Sequence, residues 1–143
     1  MATITEDYVS FEIAKLLKEK RFDEKCRTYY KVFPKDRIAA IYHSSEDRGV
    51  SEDDPNEILC PTLQMAMKWL REVHNLFIEI QCYGCEADEK AHFEYSYVIS
   101  EYVKFNTGIC ITFGLEERNA KSKFPSYEEA CETAIRYCLE HLI

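Results

Sequence analysis

The chain has 143 residues, of which 46% are hydrophobic, and a formal net charge of −8. This length and composition are typical of one globular domain, so we expect residues 1–143 to share a single core. The acidic balance argues against nucleic acid and anionic membranes as partners, because both are bound through clusters of positive charge.

The first predicted helix lies within EDYVSFEIAKLLKEKRF, where the apolar residues recur at helical spacing. Two strands are predicted next, in TYYKVF and RIAAIYH, and the turn residues Pro34, Lys35 and Asp36 separate them. Residues 44–59 are rich in acids and serine. Because no second periodic core accompanies them, we expect these residues to form an exposed loop inside the domain.

The middle helix is predicted in CPTLQMAMKWLREVH, with Cys60 or Thr62 as its N-cap residue. Its apolar residues, Trp69 among them, cover more than one face, so this helix either is buried on two sides or contacts a partner. The last helix, in SYEEACETAIRYCLEHLI, has one continuous apolar stripe. Ser126 followed by Glu129 is typical of a capping box at its start.

The strands between these two helices are predicted from alternation and turn residues. LFIEIQC and FEYSYVIS alternate in polarity, while EYVKF and ICITF flank the turn residues NTG. Short connections between neighbouring strands indicate antiparallel pairing. We therefore predict an α+β fold, with one antiparallel sheet of about five strands and three helices mainly on one face, as a two-layer sandwich.

The stretch IQCYGCEADEKAHF contains the only closely spaced cysteine pair, Cys82 and Cys85, with His92 downstream. A structural zinc site usually needs four ligands, and the sequence has no second pair at short spacing to complete this set. A thiol-exchange site would need a lowered thiol pKa, which the acids after Cys85 oppose. The structural alternative makes Cys82 the last inward residue of a strand, Gly84 a turn and Cys85 the start of a loop.

Tyrosine is the most conspicuous residue type, with ten in the chain. Tyrosine is common on half-buried sheets and is also enriched in protein interfaces. A sheet face lined by Tyr95, Tyr97 and Tyr102, beside the helix that carries Trp69, is therefore the predicted binding surface. The expected partner is another protein, and assembly into a homo-oligomer is left open.

No motif predicts an enzyme. The four glycines are isolated, so they build no phosphate-binding loop. His43 ends a predicted strand and Ser44 follows it, yet no nucleophile elbow accompanies them. We therefore predict neither catalytic residues nor a cofactor, although a site assembled from distant residues stays open.

The expected compartment is the cytoplasm. MATITEDYVS has neither the basic nor the apolar segment of a signal peptide, and no apolar run is long enough to span a membrane. Seven cysteines leave at least one unpaired in any disulfide scheme, which suits a compartment where thiols stay reduced.

In the strings YVSFEIAKLLKEK, CPTLQMAMKWLREVH and SYEEACETAIRYCLEHLI, the chain resembles a family of small uncharacterised proteins of gut Bacteroidales and their phages or other mobile elements. The resemblance implies a soluble bacterial or phage accessory protein and brings no catalytic residues. Together with the tyrosines it favours a non-enzymatic protein-binding module. A thiol-redox or zinc-binding protein that uses Cys82 and Cys85 is the alternative.

Overall fold

Three helices and six strands are present in the part of the chain that the structure, a computed structural model, describes: residues 3–33, 38–50, 54–87, 90–104, 110–115 and 123–143. Within the strands, the side chains of residues 38, 85–87, 90, 103–104 and 110–115 are not described. The helices are α1 (Phe11–Glu19), α2 (Leu63–His74) and α3 (Tyr127–Tyr137), which a π-helical turn (Cys138–Leu142) extends. The strands are β1 (Cys26–Phe33), β2 (Ile38–Arg48), β3 (Glu57–Leu59), β4 (Leu76–Ala87), β5 (Lys90–Lys104) and β6 (Cys110–Leu115).

Each helix begins where a hydroxyl side chain satisfies a free backbone N–H group of the first turn. The Ser10 hydroxyl accepts a hydrogen bond from the Ile13 N–H at 3.4 Å. The Thr62 hydroxyl accepts one from the Met65 N–H at 3.1 Å, which decides between the two candidate caps of α2 in favour of Thr62. The Ser126 hydroxyl accepts one from the Glu129 N–H at 3.1 Å. The three predicted helices are thereby confirmed.

The strands form two antiparallel sheets of three strands each, in the orders β2-β1-β3 and β4-β5-β6. The α+β class is confirmed, whereas the prediction of one sheet in a two-layer sandwich was wrong. Helix α2 connects β3 of the first sheet to β4 of the second. The alternation of polar and apolar residues predicts strands but does not say which strands share a sheet.

Strand bounds also differ from those predicted. Residues 44–48 continue β2 and Glu57–Leu59 form β3, so the exposed loop predicted at 44–59 was wrong at both ends. β3 has only three residues and is held by pairing with β1, in which Ile58 opposes Tyr30. Such a strand has no periodic signal of its own. The predicted turns at 34–36 and at NTG, residues 106–108, lie outside the described residues.

One hydrophobic core draws on both sheets and all three helices. Its fully buried large side chains come from α1, α2, β5, α3 and the π-helical turn, and they are Ile13, Leu17, Leu70, Ile99, Ile135 and Leu139. Sheet β2-β1-β3 contributes Cys26, Tyr30 and Ile58 to the same cluster. A single domain over residues 1–143 requires such a shared core. The assignment of the whole chain to one domain stays a prediction. In the described residues, no helix is both long and apolar enough to cross a lipid bilayer.

The second sheet has two unlike faces. Successive residues of a strand alternate between faces, and directly paired residues share a face. The inner face carries Leu76 and Ile99, which are buried, and α3 packs against β4 and β5. The outer face carries ten described residues: Phe77, Glu79, Gln81, Tyr83, His92, Glu94, Ser96, Val98, Ser100 and Tyr102. None of these ten side chains is buried.

Candidate functional site

Trp69 lies in the core and not on a binding surface. Its side chain is 5% exposed, its ring lies 5.4 Å from that of Phe22, and the His74 ring packs edge-on against it at 4.6 Å. Burial also lowers the pKa of His74. The prediction of Trp69 as a contact residue is thus corrected: Trp69 belongs, with Leu63, Ala66 and Leu70, to the one stripe of α2 that is buried, whereas Met65 and Val73 outside this stripe are exposed.

Tyr95 and Tyr97 lie on the inner face of the second sheet, where α3 and the segment before it cover them. The Tyr95 ring is 6.2 Å from that of Tyr127, and the Tyr97 ring is 5.9 Å from that of Phe124. Backbone hydrogen bonds in both directions join Tyr95 to Phe124. The face that carries Tyr95 and Tyr97 is therefore not the open face that the sequence predicts.

Tyr102 is the one predicted contact residue on the outer face. Its ring packs edge-on against that of Phe77, with 4.4 Å between the centroids. Phe77 is 37% exposed and Tyr83, farther along the same strand, is 47% exposed. The structure thus brings Tyr102 into contact with Phe77, which the sequence did not single out, and places Tyr83 farther away on the same face. The alternation of LFIEIQC already separates Phe77 from the inward residues, and this signal could have found it.

Acidic groups stand among these aromatic rings. The Glu79 side chain is exposed. The Glu94 carboxylate forms an ion pair with Lys123 at 3.0 Å and lies 3.2 Å from the Nε2 atom of His92. The outer face therefore combines aromatic area with carboxylates, of which Glu94 already pairs with a lysine.

The cysteine pair lies in a continuous strand and not at a turn. β4 runs through CYGC to Ala87, and in the hairpin Gly84 opposes Phe93 while Cys85 opposes His92. The interpretation of Gly84 as a turn was therefore wrong. Positions 82 and 85 are three residues apart, an odd spacing that puts them on opposite faces of the sheet. In the described part of the chain, no three His, Cys, Asp or Glu residues lie where they could share a metal ion.

Four of the described thiols are buried and poorly suited to nucleophilic chemistry. Burial is the main cause that raises the pKa of Cys26 and of Cys131 to about 11, and that of Cys60 and of Cys138 to about 12. The thiolate is the reactive form of cysteine, so at neutral pH these thiols stay protonated and are poor nucleophiles. Cys82 is exposed.

His43 and Ser44 line a cleft of about 360 Å³ beside β1, yet they do not form a catalytic pair. They are successive residues of β2, and the side chain of each contacts a group other than its neighbour. The Ser44 hydroxyl accepts a hydrogen bond from the Glu46 N–H at 3.3 Å, and the His43 ring lies 5.9 Å from that of Tyr8. This geometry does not favour a hydrolase.

Comparison of the chain with protein-family models, with curated proteins and with solved structures gave no match. The candidate function therefore rests on the geometry of the chain itself, in which the outer face of the second sheet carries the exposed aromatic residues Phe77 and Tyr83 together with Tyr102.

Proposed function

We propose that this chain is a non-enzymatic module that binds another protein through the outer face of sheet β4-β5-β6. The role that fits the family resemblance is that of a bacterial or phage accessory protein. The observation that carries the proposal is the Phe77–Tyr102 pair, which lies on a face without a buried side chain among those described.

The exposed aromatic rings are the main source of binding free energy on this face. Burial of apolar surface contributes about 25 cal/mol per Å², so a partner that covers Phe77, Tyr83 and Tyr102 gains free energy from area that water now contacts. Aromatic side chains are enriched at the centres of protein interfaces, where polar residues surround them. Ser96, Ser100 and Gln81 supply such polar neighbours on the same face.

The charges narrow the class of partner. Glu79 is exposed on this face, and the whole chain carries a formal net charge of −8. A partner surface that places an apolar side chain between lysine or arginine residues would match both the rings and the carboxylates. Complementary charge of this kind mainly accelerates association and selects among partners.

The thiols support a cytoplasmic setting for this binding. The five cysteines whose side chains are described, namely Cys26, Cys60, Cys82, Cys131 and Cys138, are free. Thiols persist in compartments that glutathione and thioredoxin keep reducing. Cys82 is exposed, so at least one of these free thiols is accessible to oxidants.

The proposal is tested by affinity capture from native cells with matched variants. Phe77→Ala combined with Tyr102→Ala removes the aromatic pair. The control is Phe33→Ala, because Phe33 is the same residue type, is 38% exposed against 37% for Phe77, and lies on the other sheet. We expect the wild type and Phe33→Ala to retain a common partner that the double variant loses.

Purified components then measure the effect. Truncation of a central aromatic residue in an interface typically costs about 2 kcal/mol or more, so the double variant should bind at least about 30-fold more weakly. Light scattering on the same variants shows whether the partner is a second copy of the chain. Equal capture by the double variant and the control would refute the outer face as the binding surface.

A further inference from the structure

Two sulfur atoms are in contact in the cleft beside β1, away from the outer face, and a third sulfur-containing residue lines the same cleft. Cys26 begins β1, Cys60 follows β3, and Met65 lies in the first turn of α2; all three line the same cleft of about 360 Å³. The Cys26 Sγ and Met65 Sδ atoms are 3.7 Å apart. This arrangement was not predicted, because the three residues have no motif spacing in the sequence.

The sheet register brings Cys60 to the same place. The Cys60 N–H donates to the Thr28 carbonyl at 2.9 Å, which places Cys60 opposite Thr28 and diagonal to Cys26. Diagonal neighbours on adjacent strands lie roughly 7–8 Å apart at their Cα atoms, so two cysteine side chains on one face can both reach an ion between them. Cys60 and Cys26 are both buried on the inward side of the sheet.

We propose that Cys26, Cys60 and Met65 form a binding site for a soft monovalent metal ion of the Cu⁺ class. Two sulfur ligands at about 2.3 Å from a three-coordinate ion, with an angle of about 120° between them, are roughly 4.0 Å apart. The Cys26–Met65 separation of 3.7 Å is close to this value before any movement. Thiolate with thioether sulfur is the ligand combination that selects Cu⁺ among the metals available to proteins.

The donor set disfavours harder ions. A zinc site takes four ligands in a closed tetrahedron, and the described residues hold no group of three or more His, Cys, Asp or Glu that could supply them. A d¹⁰ monovalent ion accepts a lower coordination number, which two cysteines and one methionine can satisfy. On binding, each coordinating thiol releases its proton to solvent and forms a metal–sulfur bond.

The present contacts of the sulfurs are weak enough to be replaced. The Cys26 thiol donates to the Glu24 carbonyl at 3.4 Å, and the Cys60 thiol donates to the Val9 carbonyl at 3.5 Å. Met65 is 37% exposed and lies at the mouth of the cleft, so an ion can enter past it.

Methionine methyl NMR with Ag⁺, a diamagnetic ion of the same class, tests the site directly. The chain has only three methionines, and Met67 is a control on the same helix. In reduced protein without oxygen, we expect the ¹³C-methyl signal of Met65 to shift and to saturate at about one equivalent, while that of Met67 keeps its position. A Met65 signal that stays unmoved while the protein takes up Ag⁺ would overturn the proposal.

Affinity for Cu⁺ supplies a second readout, by competition with a coloured chelator. Cys82→Ser, Cys85→Ser and Cys110→Ser first remove three other thiols. In that background Met65→Leu, which preserves volume at an exposed position, should weaken binding by about tenfold or more, since even outer partners of a metal change affinity by about 10–100-fold. Met67→Leu should leave the affinity unchanged. Equal affinities for the two variants would remove Met65 from the site.

Discussion

Tyr30 shows how a single polar atom is accommodated in the core. Its side chain is buried, and its hydroxyl donates to the Val9 carbonyl at 2.9 Å. Its ring packs edge-on against Phe11, with centroids 5.4 Å apart. Burial is the main cause that raises the pKa of Tyr30, so the phenol stays protonated and keeps its role as donor. This bond connects β1 to the segment that leads into α1.

Tyr30→Phe tests the value of this bond. The substitution preserves the ring and removes the donor, so we expect the free energy of unfolding to fall by about 0.5–1.5 kcal/mol. Urea denaturation followed by circular dichroism measures the change. Tyr42→Phe is the control, because Tyr42 is an exposed tyrosine on the neighbouring strand and should change stability by less than about 0.5 kcal/mol. Equal losses for the two variants would contradict a specific role for the buried hydroxyl.

The alternation of polar and apolar residues explains why some predicted contact residues were placed correctly and others were not. The pattern FEYSYVIS correctly puts Tyr95, Tyr97 and Ile99 on one face. It does not show which face the helices cover, because tyrosine suits a covered face and an open one equally. Tyr102 falls on the opposite face, since it is an odd number of residues from Tyr97. Trp69 could not be assigned to the core or to a surface from a helix whose apolar residues cover more than one face.

At the scale of elements, α1 ends in a Schellman motif built without glycine. The Phe22 N–H donates to the Leu17 carbonyl at 2.9 Å, and the Arg21 N–H donates to the Lys18 carbonyl at 3.1 Å. Arg21 has a φ of 63°, the left-handed region in which glycine is usual. Phe22 and Leu17 are both buried, which supplies the hydrophobic contact of the motif. Core packing of Phe22 therefore maintains a conformation that Arg21 alone would avoid.

Arg21→Gly should therefore stabilise the chain. The left-handed region costs an L-residue roughly 1–2 kcal/mol, while glycine adds roughly 0.5–1 kcal/mol of freedom to the unfolded state. We expect a net gain of about 0.5–1 kcal/mol in the free energy of unfolding, read from the midpoint of thermal or urea denaturation. Glu19→Gly, two residues earlier and inside the helix, should instead lose about 1 kcal/mol. A loss in Arg21→Gly would show that the arginine side chain makes a stabilising contact.

Helices and strands that a local sequence pattern encodes could be predicted. Strands that exist only through pairing with a distant strand could not. Ser10, Thr62 and Ser126 cap helices because a short hydroxyl side chain satisfies free N–H groups within its own turn. β3 exists through its pairing with β1, a contact that no local pattern contains. The C-terminal half of β2, SSEDR, has a polar composition typical of loops, yet it continues the edge strand of its sheet.

At the scale of the whole molecule, α1 and α3 are joined by polar contacts as well as by packing. The Glu132 carboxylate accepts a hydrogen bond from the Ser10 N–H at 2.7 Å, and the Lys20 ammonium donates to the Ile143 carbonyl. One contact lies at the start of α1 and the other just beyond its end. Helices α1 and α3, which between them contact both sheets, are therefore joined to one another. We expect the two sheets to unfold together for this reason.

Coincident unfolding tests this coupling and the single-domain prediction. Trp69 is the only tryptophan, and it is buried on α2, which packs against β4. We expect tryptophan fluorescence and far-ultraviolet circular dichroism to give one urea midpoint, as a two-state domain requires. Ile99→Val, in the core of the second sheet, should lower both midpoints equally, by about 0.5–1.5 kcal/mol in free energy. Val98→Ala on the outer face is the matched neighbour and should cost less. Two separated midpoints, or an Ile99→Val effect confined to circular dichroism, would show that the sheets belong to units that unfold independently.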